Sequence, residues 1–209
     1  MKANTIQLSK IILIIYVFVF FHFFQMDMMD SVGQIIQKKL HLTTQKMGLV
    51  NSAFFYADFL MIFIAGISLD YFDPKYLMIF SVFLNLMGLL FFYHIPTYGT
   101  LLIWRILAGI AMSYSFVSVM KIIALTIDKN KFGFAFATTG FAMMPAGVIA
   151  HRPALSFIQE YGLNIFFQVY LVAGIFLIVL IYLLLNKKVK QFSYPVINNF
   201  KIFSSYNIS

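Results

Sequence analysis

Six apolar stretches follow one another along this chain. Each is near the roughly 20 residues a helix needs to cross a hydrocarbon core of about 30 Å. They are expected at about 8–31, 47–69, 76–94, 101–120, 132–150 and 165–185, the first continuing as an amphipathic extension through Leu40. In hydrocarbon every backbone N–H and C=O must find its partner inside the protein, which leaves helices or a closed barrel. Barrel strands would alternate apolar and polar side chains, and these stretches do not. The expected fold is therefore all-α and integral to the membrane, with six transmembrane helices. A soluble domain could not hide a chain that is 62% hydrophobic and 11% charged, because much of its surface must meet water. The first stretch follows Lys2 and Lys10 like a signal peptide, but Phe, His, Gln and Met stand where a small-residue cleavage site would be. It reads as an uncleaved first helix.

Charge placement orients the bundle. The net charge of +8 does not point to nucleic acid, because the basic residues lie at helix ends and in the tail, where they meet lipid head groups. One side of the membrane would hold Lys2, Lys10, Lys75, Lys121, Lys129, Lys131, Lys187, Lys188, Lys190 and Lys201. The other would hold Lys38, Lys39, Lys46 and Arg152. The positive-inside rule then puts both termini in the cytoplasm and the chain in the cytoplasmic (inner) membrane as a multi-pass protein. With no cysteine, disulfides and thiolate metal sites are excluded. The sequence also lacks a Walker loop, a Gly-x-Ser-Gly and a His-Glu-x-x-His, so no enzyme, metal or cofactor is expected.

Against that apolar background the internal charges stand out. Asp27 lies 17 residues beyond Lys10, roughly 25 Å along the first helix. Arg105 lies 16 residues before Lys121, roughly 24 Å from the same face. A charge at such depth costs about 3 kcal/mol or more, so it usually faces a cavity and finds a partner. Asp27 is the expected partner of Arg105; the alternative is that Arg105 snorkels to the interface near Gly99. Asp58 is a further candidate, which could instead bond a hydroxyl or reach Lys46 through water. His22 could join a proton path because imidazole titrates near neutrality, although a His in a Phe-rich helix more often packs and bonds locally.

The turn after the second helix reads Gly66-Ile-Ser-Leu-Asp70-Tyr-Phe-Asp73-Pro74-Lys75. It resembles the helix 2–3 signature of the major facilitator superfamily, Gly-x-x-x-Asp-[Arg/Lys]-x-Gly-[Arg/Lys]-[Arg/Lys]. Gly66, Asp70 and Lys75 are in register, while Tyr71, Asp73 and Pro74 depart from it. Trp104-Arg105-Ile-Leu-Ala108-Gly109 is similar to the family's helix 4 signature, an intramembrane Arg followed four residues later by Gly. Gly140, Pro145 and Gly147 resemble its small-residue, proline-containing fifth helix, and Ile158-Gln-Glu160-Tyr161-Gly162 its approach to the sixth.

The resemblance spans about residues 8–186. It implies an N-terminal bundle of two inverted three-helix repeats and a secondary active transporter of a small solute, working by alternating access, with proton coupling among its modes. On that reading Asp27, Arg105, Asp58 and His22 line the substrate or proton pathway. Gly66, Asp70 and Lys75 form a gating loop, and Gly109, Gly140, Pro145 and Gly147 pack helices. Family members usually have two six-helix halves, so the chain reads as one half, with residues 187–209 a cytoplasmic tail or the opening of a central linker. The expected partners are lipid, a small solute, and a second six-helix half or another copy of the chain. The alternative function is a non-transporting remnant or a membrane interaction subunit.

Overall fold

The computed structural model of the chain describes residues 5–127 and 129–185; the expected tail lies outside them, as do Lys2 and the last four cationic positions. The described elements are α1 (Thr5–Lys39), α2 (Thr44–Tyr71), α3 (Pro74–His94), α4 (Tyr98–Thr126), a 3₁₀ turn (Lys129–Lys131), α5 (Phe132–Thr138), α6 (Gly140–Ala150), α7 (Arg152–Tyr161) and α8 (Leu163–Leu184). Six helical segments are long and apolar enough to span a membrane, α5 and α6 together making the fifth. The chain is a multi-pass helical membrane protein.

Two boundaries move for physical reasons. The first helix does not pause near Ser31: α1 runs unbroken for 35 residues, about 52 Å, more than the hydrocarbon needs. It stops where His41 turns to φ 51°, with Leu42 N–H donating to the Gln37 carbonyl (2.9 Å) and His41 N–H to that of Lys38 (3.3 Å). That is a Schellman stop with histidine in the seat glycine usually takes. The fifth span, expected at about 132–150, is interrupted within that range at Thr139. At Thr139 the ladder tightens to i→i−3 bonds, Thr139 N–H to Phe136 and Ala142 N–H to Thr139, each 3.0 Å. The hydroxyls of Thr138 and Thr139 also turn back onto carbonyls, 2.7 Å from Ala135 and Phe136, which competes with helix continuation. Pro145, inside α6, withholds a further N–H from the ladder beyond this break.

The other ends are set by local chemistry. Thr43, Asp73 and Thr97 cap α2, α3 and α4 with side-chain oxygens, satisfying N–H groups that helix geometry leaves free.

α4 is the most enclosed helix, lying against α2 and α3 and touching α1. α1 packs on α6, α3 on α8, and α1 on α8. Exchanging spans one with four, two with five and three with six turns the α4–α2 contact into α1–α6 and α3–α4 into α8–α1. That is the packing of two inverted three-helix repeats. Small residues allow the close approaches, as they do generally between helices in lipid. A Cβ at Gly88 would lie 3.0 Å from the Trp104 backbone, and one at Gly109 would collide with the Phe54 carbonyl. Trp104 fills the space beside Gly88, stacked on Phe92 at 5.5 Å and edge-on to Phe167 at 5.7 Å.

Candidate functional site

The bundle has two ends. The His94 end carries the α1–α2 and α3–α4 turns and the join of α6 to α7; the Lys75 end carries the α2–α3 turn and the start of α1. In the half of the bundle toward the His94 end, α1, α2, α4 and α6 meet around the charged residues.

The floor of this region is apolar. Phe54 of α2 packs with Ala108 and Met112 of α4, and Phe23 and Met26 of α1 close over them. Residues 23, 26, 27 and 30 occupy one stripe of α1, because helical neighbours recur at three and four residues. Asp30 therefore stands one turn from Met26 toward the His94 end, and Arg105 stands one turn from Ala108 in the same direction on the antiparallel α4. The two stripes face each other, and Asp30 is the acid within electrostatic reach of Arg105.

Arg105 is buried, with 2% of its surface exposed. Its guanidinium carbon lies 4.5 Å from the centre of the Phe54 ring, a cation–π contact that partly offsets the loss of water. Nε and Nη1 have no hydrogen-bond partner among the described residues. The side chain is enclosed by the bundle, which does not fit the alternative of snorkelling to the interface.

Asp27 is half-buried and points across to α6. A Cβ at Gly147 would lie 3.0 Å from Asp27 Oδ2, so the glycine makes room for the carboxylate. Asp27 and Arg105 form no ion pair within 4.0 Å; among the described residues the charged contact of this kind is His151 Nε2 to Asp30 Oδ2, 3.9 Å. His151 is held at the α6–α7 break, its Nδ1 2.7 Å from the Gly147 carbonyl. Asp30 and His151 both lie within electrostatic reach of Asp27. The sequence reading missed Asp30 and His151. The i, i+3 spacing of Asp27 and Asp30 was the available signal for the first; nothing in the sequence brings His151 to α1.

The remaining candidates fall elsewhere. Asp58 sits deeper, where the Ser113 hydroxyl lies 2.6 Å from its Oδ1 and 2.7 Å from its backbone carbonyl; the hydroxyl partner, rather than Lys46, is present. His22 is buried between Phe18 and Phe21, at ring distances of 4.4 and 5.7 Å, with Nδ1 3.1 Å from the Phe18 carbonyl. It packs and bonds locally, away from the charged cluster.

The three gating-loop residues are not brought together. Gly66 faces open space, with nothing within 4 Å of an added Cβ. Asp70 is exposed and makes no ion pair within 4.0 Å among the described residues. Lys75 is buried, donates to the Tyr182 carbonyl at 2.7 Å and lies 4.7 Å over the Tyr182 ring. Lys121 similarly reaches the Leu69 carbonyl at 3.4 Å. Both ammoniums meet carbonyls near helix C-termini, where a cation is favoured. Gly140 likewise meets nothing within 4 Å and marks a helix break rather than a packing contact.

The sequence matches the family profile of the Major Facilitator Superfamily over residues 15–205. The chain belongs to the major facilitator superfamily. Its members are membrane transporters, and the two inverted repeats and the intramembrane Arg105 of this chain sit within that framework. No curated protein matches the chain. In this superfamily member the charged cluster of α1, α4 and the α6–α7 join is the concentration of polar groups that the bundle's apolar interior leaves unexplained by packing.

Proposed function

We propose that this chain is one six-helix half of a secondary active transporter for a small solute, with the Asp27, Asp30, Arg105 and His151 cluster lining its pathway. The observation that carries the reading is Arg105: a guanidinium 2% exposed, with two nitrogens unpartnered and Asp30 of α1 within electrostatic reach. Such groups are expensive in a membrane and are kept where something must bind or pass. Transport would proceed by rocking against a second six-helix bundle, on a further chain segment or on another copy, as two-repeat transporters do. The distribution of Lys and Arg supports both termini in the cytoplasm and residence in the inner membrane. Asp58, held by Ser113, lies one layer deeper on the same path, and Asp70 and Lys75 shape the cytoplasmic end.

The test is uptake by the transporting assembly in proteoliposomes. Asp27→Asn and Arg105→Ala are expected to abolish uptake while membrane insertion is retained. Unchanged uptake in either variant sinks the assignment of the pathway. No flux of any solute, even with the bundle paired, would favour a non-transporting interaction subunit.

A further inference from the structure

The same cluster sets an unsatisfied buried guanidinium near an exposed acid, and that pattern selects a kind of solute. Arg105 Nε and Nη1 are donors without acceptors in a side chain 2% exposed. A buried unmade hydrogen bond is costly, and more so for a charged group. A ligand oxygen pair would relieve it, since a guanidinium presents donors in a planar fork that matches a carboxylate. Asp30, the acid within electrostatic reach of Arg105, stands one turn from Asp27 on one stripe of α1. The cation near them is His151, 3.9 Å from Asp30 and charged only when protonated. Asp27 has no cation within 4.0 Å among the described residues, and its Oδ2 occupies the space left by Gly147. With neutral His151, the cluster holds two negative charges against one positive charge.

A purely anionic solute would satisfy Arg105 but add repulsion at the two acids. A purely cationic solute would satisfy the acids and leave Arg105 bare. Deepening the transporter reading above, we infer that the site binds a zwitterionic small solute, its carboxylate on Arg105 and its cationic nitrogen between Asp27 and Asp30. The floor of Phe23, Met26, Phe54 and Met112 would receive the carbon skeleton and exclude water from the pairs. His151 closes the side toward α6 and, when protonated, competes with the solute's cation for Asp30.

The experiment is calorimetric titration of the purified chain in nanodiscs with glycine, β-alanine, γ-aminobutyrate and glycine betaine, which span a range of charge separations. Each is compared with its single-ended counterparts, an alkylamine and a carboxylate of matched length. At least one zwitterion is expected to bind tenfold or more tightly than both of its halves. Asp30→Asn, at an exposed position, should bring that zwitterion down to the affinity of the carboxylate alone. Arg105→Gln should bring it down to that of the amine. If no zwitterion exceeds its halves, or if an amine alone binds best, the inference is overturned while transport of another solute class stands. Zwitterion binding with no flux in proteoliposomes would instead keep the site and remove the transporter reading.

Discussion

At the scale of single residues, the structure separates charges with hydrogen-bond partners from charges without them. Lys75 and Lys121 spend their ammoniums on helix-end carbonyls, and Asp58 is engaged by Ser113. Arg105 and Asp27 have no such engagement. Ser113→Ala should leave the buried side of Asp58 without its donor and cost about 1–3 kcal/mol, seen as a lower thermal midpoint in detergent with binding at Arg105 retained. Loss of binding at unchanged stability would mean that Asp58 communicates with the site. Lys75→Met keeps the packing of the stem and removes the bond to Tyr182. It should loosen the α3–α8 end, raising proteolysis or hydrogen exchange there without changing solute affinity.

At the scale of helices, glycines matter according to what faces them and not by their presence in a motif. Gly109 abuts the Phe54 carbonyl, a backbone atom that cannot rotate away. Gly109→Leu should therefore separate α2 from α4 and displace Phe54 from beneath Arg105. The overpacking cost is on the order of 3 kcal/mol, and fluorescence-detected size exclusion should show little folded protein. Gly66→Leu enters open space and should give wild-type yield. Equal damage from both substitutions would overturn the packing explanation. The fifth span is broken at Thr139, because the Thr138 and Thr139 hydroxyls turn back onto carbonyls there and compete with the helix ladder.

At the scale of the whole molecule, the proposed orientation can be read directly, since the chain has no cysteine and any introduced thiol is the sole label. Gln45→Cys, in the first turn of α2, should react with an impermeant maleimide added to intact cells. Phe72→Cys, at the other end of that helix, should react only after permeabilisation. The reverse pattern would invert the proposed topology and place the Arg105 cluster nearer the cytoplasm.

Much of this protein was legible in its sequence because lipid imposes a simple rule. A segment that crosses hydrocarbon must be apolar, helical and about 20 residues long, so the spans and the membrane class follow from local composition. Arg105 and Asp27 were visible for the same reason, as charges where charges are costly. Their partners were not. The approach of His151 to Asp30, the space Gly147 leaves for Asp27 and the stacking of Arg105 on Phe54 each join residues far apart in the chain. Side-chain contacts between helices depend on rotation and tilt, which packing of the whole bundle sets and hydropathy does not encode. Local composition was enough to place six membrane-crossing helices with charges among them; which of those charges approach one another follows from how the helices pack.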